Sequence, residues 1–267
     1  QLIFVIFLIM LKNNRYTLYF LLLIFSNSLF FSCKENVNDQ KNTANNENVT
    51  VKDTVWSKAD EIIANIQVPT FKDQSFSILD YGAVADGETL NTKAFKEVIN
   101  ACAEAGGGKV IVPEGKFLTG AIHLKSNVNL HLEEGSEVLF SKEKKDFLPV
   151  VHTSYEGVEL MNYSPLIYAK GQKNIAVTGK GVLNGQAGKD NWWPWCGAER
   201  YGHSEGMAKQ KDEHNLPSLR KMNEQGVPVE QRIFGEGHQL RPLFFETLEC
   251  ENVLVSGVTF VNAPFWV

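Results

Sequence analysis

The chain carries the stretch Asn174-Ile175-Ala176-Val177-Thr178-Gly179, and variants of it occur on either side. The earlier variant is Asn127-Val128-Asn129-Leu130, and the later one is Asn252-Val253-Leu254-Val255-Ser256-Gly257. The first two leading Asn residues are 47 positions apart, and the second and third are 78 apart. We interpret the shorter spacing as two coils of a solenoid of about 20 residues each. The longer spacing then fits one coil plus a loop of roughly 50 residues.

The segments around this repeat are short apolar runs punctuated by Gly, Pro, Asn or Ser. They lie at 109–112, 121–124, 128–132 and 137–140, without intervening helices or two-residue hairpin turns. In a stack of coils, each leading Asn would adopt the left-handed conformation and donate hydrogen bonds along the stack. This pattern predicts an all-β fold, a right-handed parallel β-helix over 71–267. We predict that 187–239, which is polar and Gly-rich, forms a long inserted loop.

A single amphipathic helix is expected before the first coils. The apolar residues Phe95, Val98, Ile99 and Cys102 follow helical spacing over 91–105, and Gly106 to Gly108 would end the helix. Asn91 or Thr92 is the predicted N-cap. We expect this segment to be an N-terminal capping α-helix that covers the open end of the β-helix core.

The segment before residue 71 is typical of export. Lys12 and Arg15 precede an apolar stretch at 16–31, which ends in Ser32-Cys33. We interpret 1–33 as a signal peptide with a lipobox, Met10 as a plausible start and Cys33 as the lipidated residue. An ordinary signal peptide with an incidental Cys is the alternative. The polar composition of 34–70 indicates a tether and lead-in. The expected location is the outer membrane or cell surface as a lipoprotein, or the periplasm, with membrane contact only through the lipid anchor.

Charge and motif content bear on partners and cofactors. The net charge of −5 and the lack of a basic block argue against nucleic acid as a partner. Neither C-x-x-C nor H-E-x-x-H occurs, so no metal site and no cofactor are expected. We expect a monomer.

Several segments resemble glycoside hydrolase family 28, the polygalacturonases and their relatives. They include Tyr81-Gly82-Ala83, Gly179-x-Gly181-Val182-Leu183-Asn184-Gly185-Gln186, Trp192-Trp193, Arg241-Pro242 and Asn262-x-Pro264-Phe265-Trp266. The resemblance implies inverting hydrolysis of a pectin-type acidic plant polysaccharide such as galacturonan, by paired Asp residues. The family's N-x-D, D-D, G-H-G and R-x-K motifs are expected after Val267. This implies a C-terminally incomplete β-helix with no catalytic residue, which is inactive as it stands.

Three residues are candidates for substrate contact. Arg241 could offer a planar donor fork to a uronate carboxylate, or could be structural and bind turn carbonyls. His238 lies near it and could be an inert loop residue. Trp266 could stack on a sugar ring or belong to the core. Asp80 and Asp86 are expected to form turns.

Two other functions remain open from sequence. A β-helix polysaccharide lyase or epimerase would act on the same class of polymer. A non-catalytic carbohydrate-binding surface lipoprotein would need no carboxylate pair.

Overall fold

The computed structural model describes residues 53–267. The predicted signal peptide, Cys33 and the tether up to residue 52 lie outside the described residues. Helix α1 spans Asp53–Asn65, and residues 61–267 form one compact unit. Within residues 53–267, no helix has the length and apolar character needed to cross a bilayer.

The compact unit contains fifteen strands and two further helices. Helix α2 spans Thr92–Glu104 and helix α3 spans Leu216–Glu224. The strands are β1 (Ser75–Ser77), β2 (Asp86–Leu90), β3 (Gly108–Val112), β4 (Gly115–Thr119), β5 (Ile122–His123), β6 (Val128–Leu132), β7 (Ser136–Phe140), β8 (Val151–Tyr155), β9 (Val158–Asn162), β10 (Ile167–Lys170), β11 (Lys173–Gly179), β12 (Val182–Asn184), β13 (Phe245–Leu248), β14 (Glu251–Ser256) and β15 (Thr259–Val261).

Three parallel sheets are built from strands that recur in a fixed cycle along the chain. Sheet A has the order β1-β3-β6-β11-β14, sheet B has β15-β12-β7-β4-β2, and sheet C has β13-β10-β5. From β3 onward the chain visits A, B and C in turn, and every pairing within these sheets is parallel. This winding confirms the predicted parallel β-helix.

The repeated Asn residues form a ladder at the turn before sheet A. Asn127, Asn174 and Asn252 have φ of 64°, 52° and 55°, in the left-handed region. The Asn174 amide donates to Asn127 Oδ1 at 3.2 Å, and the Asn252 amide donates to Asn174 Oδ1 at 2.9 Å. The expected role of these residues is therefore confirmed.

The predicted coil count between the first two Asn residues is wrong. Ala176 of β11 pairs directly with Asn129 of β6, so the 47-residue spacing is a single coil. The extra length is a 3-10 helix at Lys144–Phe147 and the antiparallel hairpin β8–β9, both inserted between β7 and β10. The hairpin lies after 109–140, the segment in which the sequence shows no two-residue hairpin turn. Glu156 and Gly157, with φ of 49° and 82°, make such a turn.

Helix α2 buries one face in the core of the β-helix. Phe95, Val98, Ile99 and Cys102 are at most 1% exposed and belong to the main apolar cluster. Asn91 occupies the predicted N-cap position, but its side chain makes no capping hydrogen bond. Its amide binds Val84 instead, accepting from Val84 N at 2.7 Å and donating to Val84 O at 3.1 Å. The Asn91 side chain is therefore hydrogen-bonded to the preceding loop and not to the N-terminal N–H groups of the helix.

The chain between β12 and β13 packs together with the β8–β9 hairpin. It contains 3-10 helices at Trp193–Cys196, Glu199–Tyr201 and Val229–Gln231, as well as α3. A second apolar cluster joins the hairpin to α3 and the following loop; its members are Tyr155, Leu160, Leu216, Leu219, Phe234 and Leu240. The Met161 N–H donates to Arg232 O, and the Phe234 N–H donates to Met161 O. We call residues 151–162 and 216–240 the side lobe.

Candidate functional site

The outer face of sheet C carries a row of polar and ionisable side chains. His123, Tyr168 and Glu246 occupy matching positions on β5, β10 and β13, so their side chains lie on one face. The rings of His123 and Tyr168 meet edge to face, with centroids 5.2 Å apart. The Tyr168 hydroxyl donates to His152 O of the hairpin at 2.6 Å, so the side lobe rests on this row.

Glu246 is the one carboxylate among residues 53–267 that is more than nine-tenths buried, at 7% exposure. Its Oε1 accepts from Ser154 N at 3.0 Å and from Ser154 Oγ at 2.6 Å, and its Oε2 accepts from Thr153 Oγ1. Burial raises the pKa of Glu246 above its ordinary value, although these donors oppose the shift. The carboxyl group thus ties the hairpin to sheet C.

Arg241 is engaged by the protein itself. Its Nη1 donates to Pro264 O at 3.1 Å, and its Nη2 donates to Gln210 Oε1 at 3.0 Å. The guanidinium lies 4.6 Å from the centroid of the Phe265 ring. Its Nε is buried and has no hydrogen-bond partner among the described residues. This geometry matches the structural alternative considered for Arg241, because the donor fork already binds a carbonyl and an amide oxygen.

Trp266 lines a cavity together with Arg241. Its side chain is 59% exposed and stacks on Phe265 with centroids 4.6 Å apart. Phe265 stacks in turn on Tyr155 of the hairpin at 4.7 Å. The cavity has a volume of about 350 Å³ and is also lined by Trp193 and Tyr201. An exposed aromatic ring above a partly apolar cavity can receive the face of a sugar ring.

His238 lies in a different cavity, of about 280 Å³, lined also by Trp195, Tyr163, Lys144 and Lys145. Its Nδ1 is 3.1 Å from Asn215 Oδ1, which also accepts the Gln239 N–H. Burial lowers the pKa of His238, while the backbone of the neighbouring His214 opposes the shift and its side-chain charge adds to it. The structure thus separates His238 from the Arg241 and Trp266 pair.

Asp86 confirms its predicted place in a turn. Its Oδ1 accepts from Glu88 N and Thr89 N, each at 2.8 Å, and its Oδ2 accepts from Thr89 Oγ1 at 2.7 Å. These hydrogen bonds, that of the Thr89 hydroxyl foremost, lower the pKa of Asp86 to about 2. A carboxylate held ionised in this way is a poor proton donor.

Sequence reasoning did not single out Glu246, Lys144 or Lys145. Glu246 had a usable signal, since it is the one charged residue in the strand Phe245–Leu248. The two lysines offered none, because the sequence does not show which loop lies beside the loop of His238.

Comparison with known proteins shows which enzymes the chain is similar to. No family model matches the chain. It is 27% identical over 202 residues to a protein named "Probable polygalacturonase" from Vitis vinifera, covering 72% of this chain and 33% of the relative. It is 36% identical over 121 residues to exo-poly-alpha-D-galacturonosidase from Dickeya chrysanthemi, covering 42% and 20%.

A solved structure gives the same indication. The crystal structure of a hyperthermoactive exopolygalacturonase from Thermotoga maritima matches with a TM-score of 0.75 and 45% identity, over 79% of this chain and 47% of that chain. The chain spans a third or less of the two curated relatives and about half of the solved structure. Its homologues over these spans are polygalacturonases and exopolygalacturonases.

Proposed function

We propose that the protein is a glycoside hydrolase that cleaves galacturonan-type pectin and removes sugars from a chain end. The observation that carries the proposal is the 45% identity to the Thermotoga maritima exopolygalacturonase over 79% of this chain. The Dickeya chrysanthemi relative is likewise named for exo action. The substrate would be an acidic plant polysaccharide, and no cofactor is invoked.

The proposed chemistry is inverting hydrolysis by paired Asp residues, which we expect after Val267. One carboxylic acid must protonate the leaving oxygen, and a second carboxylate must activate water on the opposite face of the sugar. Glu246 does not fit either role, because all of its hydrogen-bonding partners belong to the hairpin and its exposure is 7%.

The side lobe supplies a physical reason for exo action. Its hairpin lies on the outer face of sheet C, through Tyr168 and Glu246. A structure that stands across one end of a binding face stops a polymer from passing through and admits only its terminus.

Substrate contact is assigned to the cavity that Trp266 and Arg241 share. We infer that Trp266 supplies the stacking surface and that Arg241 positions Phe265 beneath it, since Arg241 contacts both Pro264 and Phe265. His238 lies in a separate cavity.

The remaining assignments concern export and assembly. We infer an exported lipoprotein anchored through Cys33, at the outer membrane or cell surface or in the periplasm, and a monomer. We also infer that α2 caps the first coil, an inference supported by its fully buried Val98 and Cys102.

A product assay on the full-length protein tests the function. Incubation with polygalacturonate should release short saturated sugars, without a ladder of intermediate oligomers. The yield should not change when a calcium chelator is added. Unsaturated products that absorb in the ultraviolet would replace the proposal with a lyase. Binding without any product would replace it with a carbohydrate-binding protein, and an oligomer ladder would contradict exo action.

A further inference from the structure

We propose that the cavity lined by Lys144, Lys145 and His238 is a binding site for one sugar-acid residue, such as a galacturonate unit. This site is separate from the cavity of Arg241 and Trp266. The assignment deepens the proposed function, on which the choice of galacturonate as the ligand rests.

The tautomer of His238 follows from its hydrogen bond. Asn215 Oδ1 can only accept, and it already receives the Gln239 N–H, so the His238 Nδ1 must carry the proton that it shares with Asn215. Since burial keeps the ring neutral, Nε2 carries a lone pair. Within residues 53–267 only Nδ1 of this ring makes a side-chain hydrogen bond, and the backbone of His214 lies close enough to raise its pKa. The cavity therefore contains a fixed acceptor suited to a sugar hydroxyl.

Lys144 is held in place by two aromatic rings. Its Nζ lies 5.4 Å from the centroid of the Trp192 ring and 5.2 Å from that of Trp195. Trp192 is fully buried and meets Tyr163 and Phe147 edge to face. Contacts of this kind favour the charged ammonium group and limit its motion. A positioned cation binds an anionic ligand at a lower entropic cost than a free lysine does.

The cavity has an excess of positive charge. Lys144 and Lys145 line it, against the single carboxylate of Glu236. Within residues 53–267, neither lysine has a carboxylate oxygen within 4.0 Å, whereas the nearby Lys142 pairs with Asp190 at 3.1 Å. The two ammonium groups are thus available to a carboxylate from outside.

The three kinds of side chain that line the cavity together identify the ligand. The ammonium groups suit a carboxylate, the lone pair on His238 suits a hydroxyl, and the half-buried ring of Trp195 suits the C–H face of a sugar. A phosphate ion would satisfy the lysines and could donate a P–OH group to His238, but it has no C–H face to offer to Trp195. A neutral sugar would leave the lysines unused. A sugar acid uses all three.

Galacturonate itself is the probe, because a monomer cannot be hydrolysed during the measurement. We would titrate it into the full-length protein and follow the imidazole nitrogen signals of His238 by NMR, assigned by their loss in His238→Gln. Galacturonate should shift the Nε2 signal in a saturable way. Its methyl ester keeps the sugar but removes the charge, so it should bind at least roughly tenfold more weakly.

Substitution of the lysines tests the charge assignment. K144Q/K145Q should weaken galacturonate binding by about tenfold or more. K145Q alone leaves the aromatic packing of Lys144 intact and should show part of the loss. The matched control is K116Q/K173Q, which removes two lysines from sheets B and A and should bind like the unmodified protein.

Three results would overturn the site. They are an unshifted His238 signal, equal binding of the methyl ester, and an affinity of K144Q/K145Q within a factor of about two of the control. Inorganic phosphate that shifts His238 as strongly as galacturonate would overturn the sugar-acid identity. Release of sugar from polygalacturonate is measured separately, so a protein that binds galacturonate without hydrolysis would refute the proposed function and leave this site standing.

Discussion

Glu246 shows how a single buried carboxyl group can link an insertion to the β-helix. Because burial raises its pKa above the ordinary 4.5, the folded protein binds a proton more tightly there than the unfolded chain does. The contribution of the protonated Glu246 to the free energy of unfolding is fully present at pH values below the pKa that Glu246 has in the unfolded chain. It is lost as the pH rises through the folded pKa.

We therefore predict that Glu246→Gln becomes increasingly stable, relative to the unmodified protein, as the pH rises. The amide can accept from Ser154 and donate to the Thr153 hydroxyl, and it cannot ionise. Glu246→Ala should cost about 1–3 kcal/mol, because the hydroxyl groups lose their acceptor. Urea unfolding of the full-length protein at about pH 5 and about pH 8 measures both effects. The exposed Glu249→Gln is the control, and a parallel pH dependence in Glu246→Gln and the unmodified protein would exclude this role.

For single residues, the sequence indicated which residue types are candidates for substrate contact, but not which other residues they contact in the fold. Trp266, a candidate either for sugar stacking or for the core, lines a cavity, whereas Arg241 already has two partners, Pro264 and Gln210. His238 lies near Arg241 in sequence but in another cavity. Local sequence could not reveal this, because the cavity of His238 is completed by Lys144 and Lys145 from a different coil.

The element that defines the β-helix is the Asn ladder at the turn before sheet A. Asn174 is its middle member, with side-chain hydrogen bonds to the coils on both sides. We predict that Asn174→Ala lowers the free energy of unfolding by about 1–3 kcal/mol, since Ala tolerates φ of 52° poorly and lacks the amide. Glycine adopts this backbone conformation without strain. Asn174→Gly should therefore lower the free energy of unfolding by less than Asn174→Ala does, through loss of the ladder hydrogen bonds alone. Urea midpoints of the two full-length variants separate these contributions, and an Ala variant as stable as the native protein would refute the ladder's importance.

The insertions explain why the predicted number of coils between Asn127 and Asn174 is wrong. The repeat of Asn followed by apolar residues identified sheet A and its parallel stacking, because that signal is local and periodic. The hairpin β8–β9 escaped notice because its turn, Glu156-Gly157, lacks the usual Asn-Gly or Asp-Gly pair. The apolar residues Tyr155 and Leu160 of the hairpin pack against α3 and the following loop and not inside the coil. They therefore do not follow the repeat of the β-helix.

For the whole compact unit, the packing is uneven from one end to the other. The inward-facing Ile175 and Val177 of β11 are fully buried, whereas their partners Val253 and Val255 of β14 are 38% and 41% exposed. In the described part of the chain, β14 pairs only with β11. Exposed apolar side chains beside an unpaired strand edge favour association with other chains.

We therefore predict that a polypeptide restricted to residues 1–267 unfolds with low cooperativity, associates in solution and does not hydrolyse polygalacturonate. Size-exclusion chromatography, thermal unfolding and a reducing-sugar assay would measure the three properties. Replacing Val253 and Val255 with Thr should reduce association, because each substitution exchanges a methyl group for a hydroxyl at the open edge. We expect these variants to remain without activity, because the proposed carboxylate pair follows Val267 and a more soluble 1–267 polypeptide does not supply it. A monomeric 1–267 polypeptide that unfolds cooperatively and releases sugar would show that the carboxylates needed for catalysis lie within this chain.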